Sequence, residues 1–116
     1  MTSDCIFCRI VAGEIPVREV ARTADGVAFH DQNPQAPTHV LVVPTVHLAN
    51  AAAADNEAGE RIAGRTVRLA AQVAERLGLL KGGYRLVMNV GSDGGQSVAH
   101  LHVHVLGGRR MSWPPG

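Results

Sequence analysis

The chain has 116 residues, enough for one domain with a real core and too few for two. Its 11 basic and 10 acidic residues leave a net charge of +1, so no global field draws it toward nucleic acid or a membrane surface. No apolar run approaches the roughly 20 residues of a spanning helix, and the opening "MTSDCIFCRI" lacks the pattern of a secretion signal, which points to the cytoplasm, where thiols stay reduced.

The segment "DCIFCRIVAGEIP" reads as a short N-terminal helix capped by Asp4 and closed by Gly13 and Pro16. Strands are expected over "VREVART" (17–23) and "VAFHD" (27–31), joined through Asp25-Gly26 as a hairpin. A third strand, "THVLVVP" (38–44), follows the break at "NPQAP". Residues 48–78 are alanine-rich and helical. Ile62, Thr66, Leu69, Ala70, Val73 and Leu77 form an apolar stripe there, and Gly78 fits the residue just past a helix end. Two more strands, "YRLVMNV" (84–90) and "AHLHVHVLG" (99–107), flank the loop "GSDGGQS" (91–97). The order of hairpin, strand, helix and hairpin predicts an α+β domain over residues 1–116, with antiparallel strands and one long helix. The tail "GRRMSWPPG" cannot be regular structure.

The pentapeptide "HLHVH" carries half of the six histidines. In a strand His100, His102 and His104 would share one face, about 7 Å apart along the chain. Two of them can reach one zinc ion, but three in a straight strand can hardly meet at a single ion with bonds of roughly 2 Å. Burying three rings for packing alone would demand a partner for each. A row of imidazoles suits a polyanion better. One ring can supply a nucleophilic nitrogen while others donate to phosphate oxygens. The adjoining "GSDGGQS" can turn backbone N–H groups inward as an anion cradle, although a plain hairpin loop would look the same in isolation.

With its apolar intervening residues, "HLHVHVL" resembles the His-x-His-x-His motif of the histidine triad (HIT) superfamily. "FHDQNPQAPTHVLVVP", "NVGSDGGQSVAHLHVHVLGGR" and "WPPG" are similar to its Hint branch, the histidine triad nucleotide-binding proteins. The resemblance covers nearly the whole chain. It implies a five-stranded antiparallel sheet, a homodimer with a continuous ten-stranded sheet, and hydrolysis at the α-phosphate of purine nucleoside 5′-phosphoramidates. It makes His102 the nucleophile of a transient nucleotidyl-histidine, with His100, His104 and Ser97 as the other catalytic residues. His104 would donate to phosphate oxygens, and Ser97 would contact the leaving nitrogen or a phosphate oxygen. The resemblance puts Asn89 on the phosphate and ribose side of the pocket and Asp31 on the ribose hydroxyls, with Gly95, Gln96 and Trp113 also among the nucleotide-binding residues. Phe7, Ile10 and His30 would surround the base. Trp113, in the tail 108–116, would lie near the active site of the other subunit.

The pair Cys5 and Cys8, in a cytoplasmic chain, reads as a metal or redox pair rather than a disulfide. Two ligands cannot close a tetrahedral site. His47 matches a histidine that the family places near His100. Cys5, Cys8, His47 and His100 would then make a structural zinc site of the kind some bacterial relatives resemble. His39 is expected to be a hydrogen-bonded structural residue. The competing function is a zinc-containing dimer that binds nucleotides as an adaptor without hydrolysing them.

Overall fold

A computed structural model describes residues 4–116, so the first three residues of the expected 1–116 domain lie outside it. The elements are α1 (Ile6–Val11), β1 (Glu19–Arg22), β2 (Gly26–His30), β3 (Thr38–Pro44), a short 3₁₀ turn at Ala51–Ala53, α2 (Glu57–Arg76), β4 (Tyr84–Val87) and β5 (Val103–Gly107). The strands form one five-stranded antiparallel sheet in the order β1-β2-β3-β5-β4. The fold is the expected α+β one, with a long helix and a short one. No helix among the described residues is long and apolar enough to cross a membrane.

Alternation along β2 and β3 builds two cores. Ala28, Val40 and Val42 meet Leu69, Ala70 and Val73 of α2 on one face, joined by Val103 and Val105 of β5. Val27, Phe29, Leu41 and Val43 point to the other face, where Phe7 and Ile10 of α1 cover them. Both faces of the central strands are therefore buried, and that explains the continuous β-branched run at 38–44.

Several boundaries differ from the expected ones, each for a local reason. The cap of α1 is Cys5, whose Sγ accepts the Cys8 N–H at 3.4 Å, rather than Asp4. The alanine-rich stretch does not run as one helix from 48. Asn50 caps the 3₁₀ turn, and Asn56 restarts the chain by accepting the Gly59 N–H at 2.7 Å. Helix α2 ends as foreseen. Gly78 has φ +78°, and the N–H groups of Gly78 and Leu79 return to the carbonyls of Glu75 and Ala74. Gly26, by contrast, needs no left-handed backbone. A Cβ there would stand 2.6 Å from the Val43 carbonyl oxygen, so the glycine serves close strand approach.

Strand β1 is shorter than 17–23, β2 starts and ends one residue earlier than expected, and β4 stops at Val87 instead of 90. The consequential difference is β5, which begins at Val103 rather than 99. Only His104 of the three histidines lies in the strand. His100 sits in a bend and His102 follows it. Leu101 is buried, with its N–H donating to the Leu48 carbonyl at 2.6 Å. The premise of one flat pleat carrying all three imidazoles is therefore wrong.

Candidate active site and metal cluster

The bend before β5 turns His100 away from its two successors. Its ring is fully buried, and its Nε2 lies 3.1 Å from the Pro44 carbonyl. A carbonyl only accepts, so Nε2 carries the hydrogen and Nδ1 keeps a lone pair. Nδ1 faces the Cys5 and Cys8 sulfurs at 3.3 and 3.5 Å and the His47 Nδ1 at 3.1 Å. Cys8 Sγ is also 3.3 Å from His47 Nδ1. All four donor atoms lie within 4.8 Å of one another.

Donors on a tetrahedral zinc, with bonds of about 2.0–2.1 Å to nitrogen and 2.3 Å to sulfur, stand roughly 3.3–3.8 Å apart. The cluster is close to that spacing. Two imidazole lone pairs facing each other repel unless a cation or a proton lies between them. The donor chemistry, Cys₂His₂, and the fixed Nε2–H tautomer of His100 both fit zinc. Burial lowers the pKa of His100, against the opposing pull of the Pro44 carbonyl, so its ring stays neutral as a ligand must.

His102 is oriented differently. Its Nδ1 lies 2.7 Å from the His100 carbonyl oxygen and must carry the hydrogen. In the neutral ring the lone pair is then on Nε2, the form a nucleophilic imidazole needs. Phe7 packs edge-on against it, with ring centroids 5.1 Å apart at 75°.

His104 completes the group. Its ring is 5.0 Å from that of His102, and its Nδ1 is 2.9 Å from Nε2 of His39. The tautomers follow from one backbone contact. The Gln35 N–H donates to His39 Nδ1 at 3.0 Å, so the hydrogen of a neutral His39 is on Nε2 and points to His104. Nδ1 of His104 accepts it, and His104 keeps its own hydrogen on Nε2. Asp31 stands behind this chain, with Oδ2 3.4 Å from His39 Nε2. Burial, then His102 and His39, push the pKa of His104 down to about 4, with Asp31 opposing. His104 is thus a neutral donor at pH 7. Burial lowers His39 in the same way, again against Asp31.

Asp31, His39 and His104 bring their polar atoms within metal-binding range of one another. The hydrogen on His39 Nε2 makes this a proton chain rather than a set of lone pairs. His39 is hydrogen-bonded as expected, and the partner that residue spacing did not indicate is His104. The two are diagonal across β3 and β5, since Leu41 is the residue opposite His104. That pairing cannot be read without the register.

Beside the triad lies a groove of about 760 Å³ whose walls include Phe7, Ile10, His30 and Asp31 of the expected nucleotide set. Phe29, Leu41 and Arg18 also line it and were not foreseen. Alternation with Val27 and Val43 is the signal that could have found the first two. On the other side, Asn89 donates to the Gly94 carbonyl at 2.6 Å, and Gly95 takes φ +78° next to it. Gln96 is spent on the loop itself: Nε2 donates to Ala49 and Val98 carbonyls, while Oε1 accepts from Gly91 N–H and Asn50. Ser97 is exposed. Trp113 is 82% exposed in the single chain.

Comparison with known proteins places the chain in a family. The HIT domain family matches residues 12–111. A 14 kDa zinc-binding protein of Zea mays is 47% identical over 98% of this chain and 89% of its own length. The purine nucleoside phosphoramidase of Escherichia coli is 41% identical over 96% of this chain and 92% of its own. Among solved structures, a HIT family hydrolase from Legionella pneumophila superposes with a TM-score of 0.92 at 45% identity, covering 97% of this chain and 100% of that one.

Proposed function

Because the chain belongs to the HIT family, we propose that it is a purine nucleoside phosphoramidase, cleaving the bond between α-phosphorus and nitrogen through a nucleotidyl-histidine at His102. The observation that carries this reading is the 2.7 Å contact from His102 Nδ1 to the His100 carbonyl, which leaves Nε2 as the basic nitrogen. Nε2 forms a bond to phosphorus as the phosphorus–nitrogen bond breaks. The leaving nitrogen takes the electron pair and a proton that the exposed Ser97 hydroxyl relays from solvent. Water then attacks phosphorus, the bond to Nε2 breaks, and the nucleoside monophosphate departs.

His104 offers its Nε2–H to a non-bridging oxygen as charge builds there. Phe7, Ile10 and His30 hold the base. Asp31 accepts from the ribose hydroxyls, as an acceptor-only carboxylate suits a cis-diol. Asn89 and Gly95 flank the phosphate, and Gln96 holds their loop in shape. Cys5, Cys8, His47 and His100 hold zinc, which supplies a rigid staple between α1 and the segment before β5. That pair of thiols must stay reduced, in keeping with a cytoplasmic protein.

The protein works as a homodimer in this reading, two β4 edges joining into a ten-stranded sheet. Two features support it: β4 is a sheet edge, and Trp113 presents a large exposed ring that a partner would cover.

The test is AMP release from adenosine 5′-phosphoramidate. His102→Ala should lower turnover by about 10⁴-fold or more, as loss of a nucleophile does, and abolish acid-quench trapping of nucleotidyl-protein. Unchanged turnover would refute covalent catalysis. AMP binding without turnover in the wild type would instead indicate the adaptor.

A further inference from the structure

The metal cluster and the nucleophile share a peptide plane. The unit between His100 and Leu101 gives its carbonyl to His102 Nδ1–H at 2.7 Å and its N–H to the Leu48 carbonyl at 2.6 Å. Leu48 is the neighbour of His47, one cluster member, and His100 is another. Phe7 stands between Cys5 and Cys8 on α1 and sets its ring edge-on to both His100, at 5.8 Å and 82°, and His102, at 5.1 Å and 75°. The acceptor carbonyl, the anchor of its peptide and the ring that packs on the nucleophile are therefore each within two residues of a cluster ligand.

The sheet does not do this work. Pairing of β5 with β3 begins at Val103, opposite Val42, so His100 and His102 precede the ladder. Without a ladder, the orientation of this peptide depends on what grips its ends.

We propose that the Cys5–Cys8–His47–His100 cluster is the positioning device for the nucleophile: once loaded, it fixes the peptide between His100 and Leu101 and thereby holds His102 as its Nδ1–H tautomer with Nε2 free to attack. This rests on zinc occupying those four ligands, and it goes beyond a staple for the fold. His100 is then a positioning residue on two counts, through its ring on the metal and its carbonyl on His102. A metal that served stability alone would leave the His102 ring indifferent to its removal.

The experiment uses the full chain, purified with its metal and labelled with ¹⁵N at histidine. Zinc is first counted by elemental analysis. It is then removed with a chelator and restored with zinc chloride, while ¹⁵N–¹H correlation spectra follow the His102 ring and phosphoramidate turnover is measured in parallel. The expected result is about one zinc per chain and a single Nδ1–H tautomer at His102 in the loaded protein. After stripping, tautomer averaging should appear together with a fall in turnover of about tenfold or more, the range for loss of outer-shell support, and both should return with zinc. His47→Cys, which keeps four ligands, should preserve both readouts, whereas His47→Ala should lose them.

If zinc leaves and the His102 spectrum and turnover stay as they were, the positioning role is wrong although zinc binding stands. If the purified chain binds no zinc, the metal reading itself fails and this inference with it. Should the stripped chain unfold, zinc is exchanged for the larger Cd²⁺ in the folded protein. A shift of the His102 ring resonances upon exchange supports the coupling, and resonances that do not move overturn it.

Discussion

Nε2 of His39 lies 2.9 Å from Nδ1 of His104, and a single hydrogen bridges them. Its direction is fixed three atoms away, where the Gln35 N–H occupies the other nitrogen of His39. A main-chain donor at the β2–β3 turn thus decides which nitrogen of His104 offers a hydrogen to the site. Substituting Gln35 would leave this intact, since the donor is backbone.

Replacing His39 by Phe removes the donor and frees His104 to adopt either tautomer. Turnover should fall by roughly 10- to 100-fold, the range for loss of support behind a functional histidine. Nucleotide affinity should change little, because Asp31 keeps its anchor, accepting the Asn33 N–H at 2.8 Å. Steady-state kinetics separate the two: a rise in KM with kcat intact would mean that His39 serves binding.

Acid should weaken the fold through the same pair. The folded pKa of His104 is about 4 and that of His39 is also lowered, against about 6.5 for an unfolded histidine. Between those values the unfolded chain binds protons that the folded chain refuses, so stability rises with pH through the window and is lost as pH falls from 6.5 toward 4. His104 contributes on the order of 3 kcal/mol at most across that span. Urea midpoints at pH 7 and pH 4.5 should therefore separate more for wild type than for His104→Gln. Equal separations would show that this ring titrates normally in the fold.

Much of this architecture can be read from residue patterns. The run at 38–44 is β3 to the residue, and the stripe from Thr66 to Val73 is the buried face of α2. What alternation could not reveal is where a strand stops. "AHLHVHVLG" alternates without a flaw from 99, yet the chain bends until Val103 because His100 finds partners at Pro44 and the cysteines instead of a ladder. Tertiary contacts from residues 44, 47 and 5 decide that, and none is local. The gathering of Cys5, Cys8, His47 and His100 was legible through resemblance, while the His39–His104 contact depends on a register that no spacing encodes.

Two glycines should differ in their tolerance of alanine. At Gly107 a Cβ would meet Leu79 Cδ1 and Cδ2 at 2.8 Å, the far end of a side chain that can turn. At Gly26 it would meet the Val43 carbonyl oxygen at 2.6 Å, and the opposing strand cannot yield without losing its register. Gly107→Ala should cost roughly 1–3 kcal/mol, as overpacking does, and Gly26→Ala more. Thermal melts of the two variants give the order directly. The reverse order would mean that β2 and β3 shift apart more easily than Leu79 moves.

Sedimentation equilibrium should return a mass twice the 12.2 kDa of one chain if β4 edges pair. Trp113→Ala should lower activity without changing that mass, because the strand edge rather than the tail carries the pairing. A monomer with full activity would remove the partner from the mechanism.

The proposed contact between Asp31 and the ribose can be isolated with substrate and residue together. Asp31 has Oδ1 occupied by the Asn33 N–H and Oδ2 3.4 Å from His39 Nε2, at the lip of the groove. A carboxylate held this way is preoriented to accept hydrogens from a cis-diol, and hydrogen bonds to a charged group are worth about 1.5–3 kcal/mol. The 2′,3′-dideoxy phosphoramidate should therefore lose roughly 10- to 100-fold in kcat/KM against wild type. Asp31→Asn should lose a similar factor with the ribose substrate and little more with the dideoxy one, since the same interaction is missing already. Additive losses would place the ribose elsewhere and leave Asp31 with only its role behind His39.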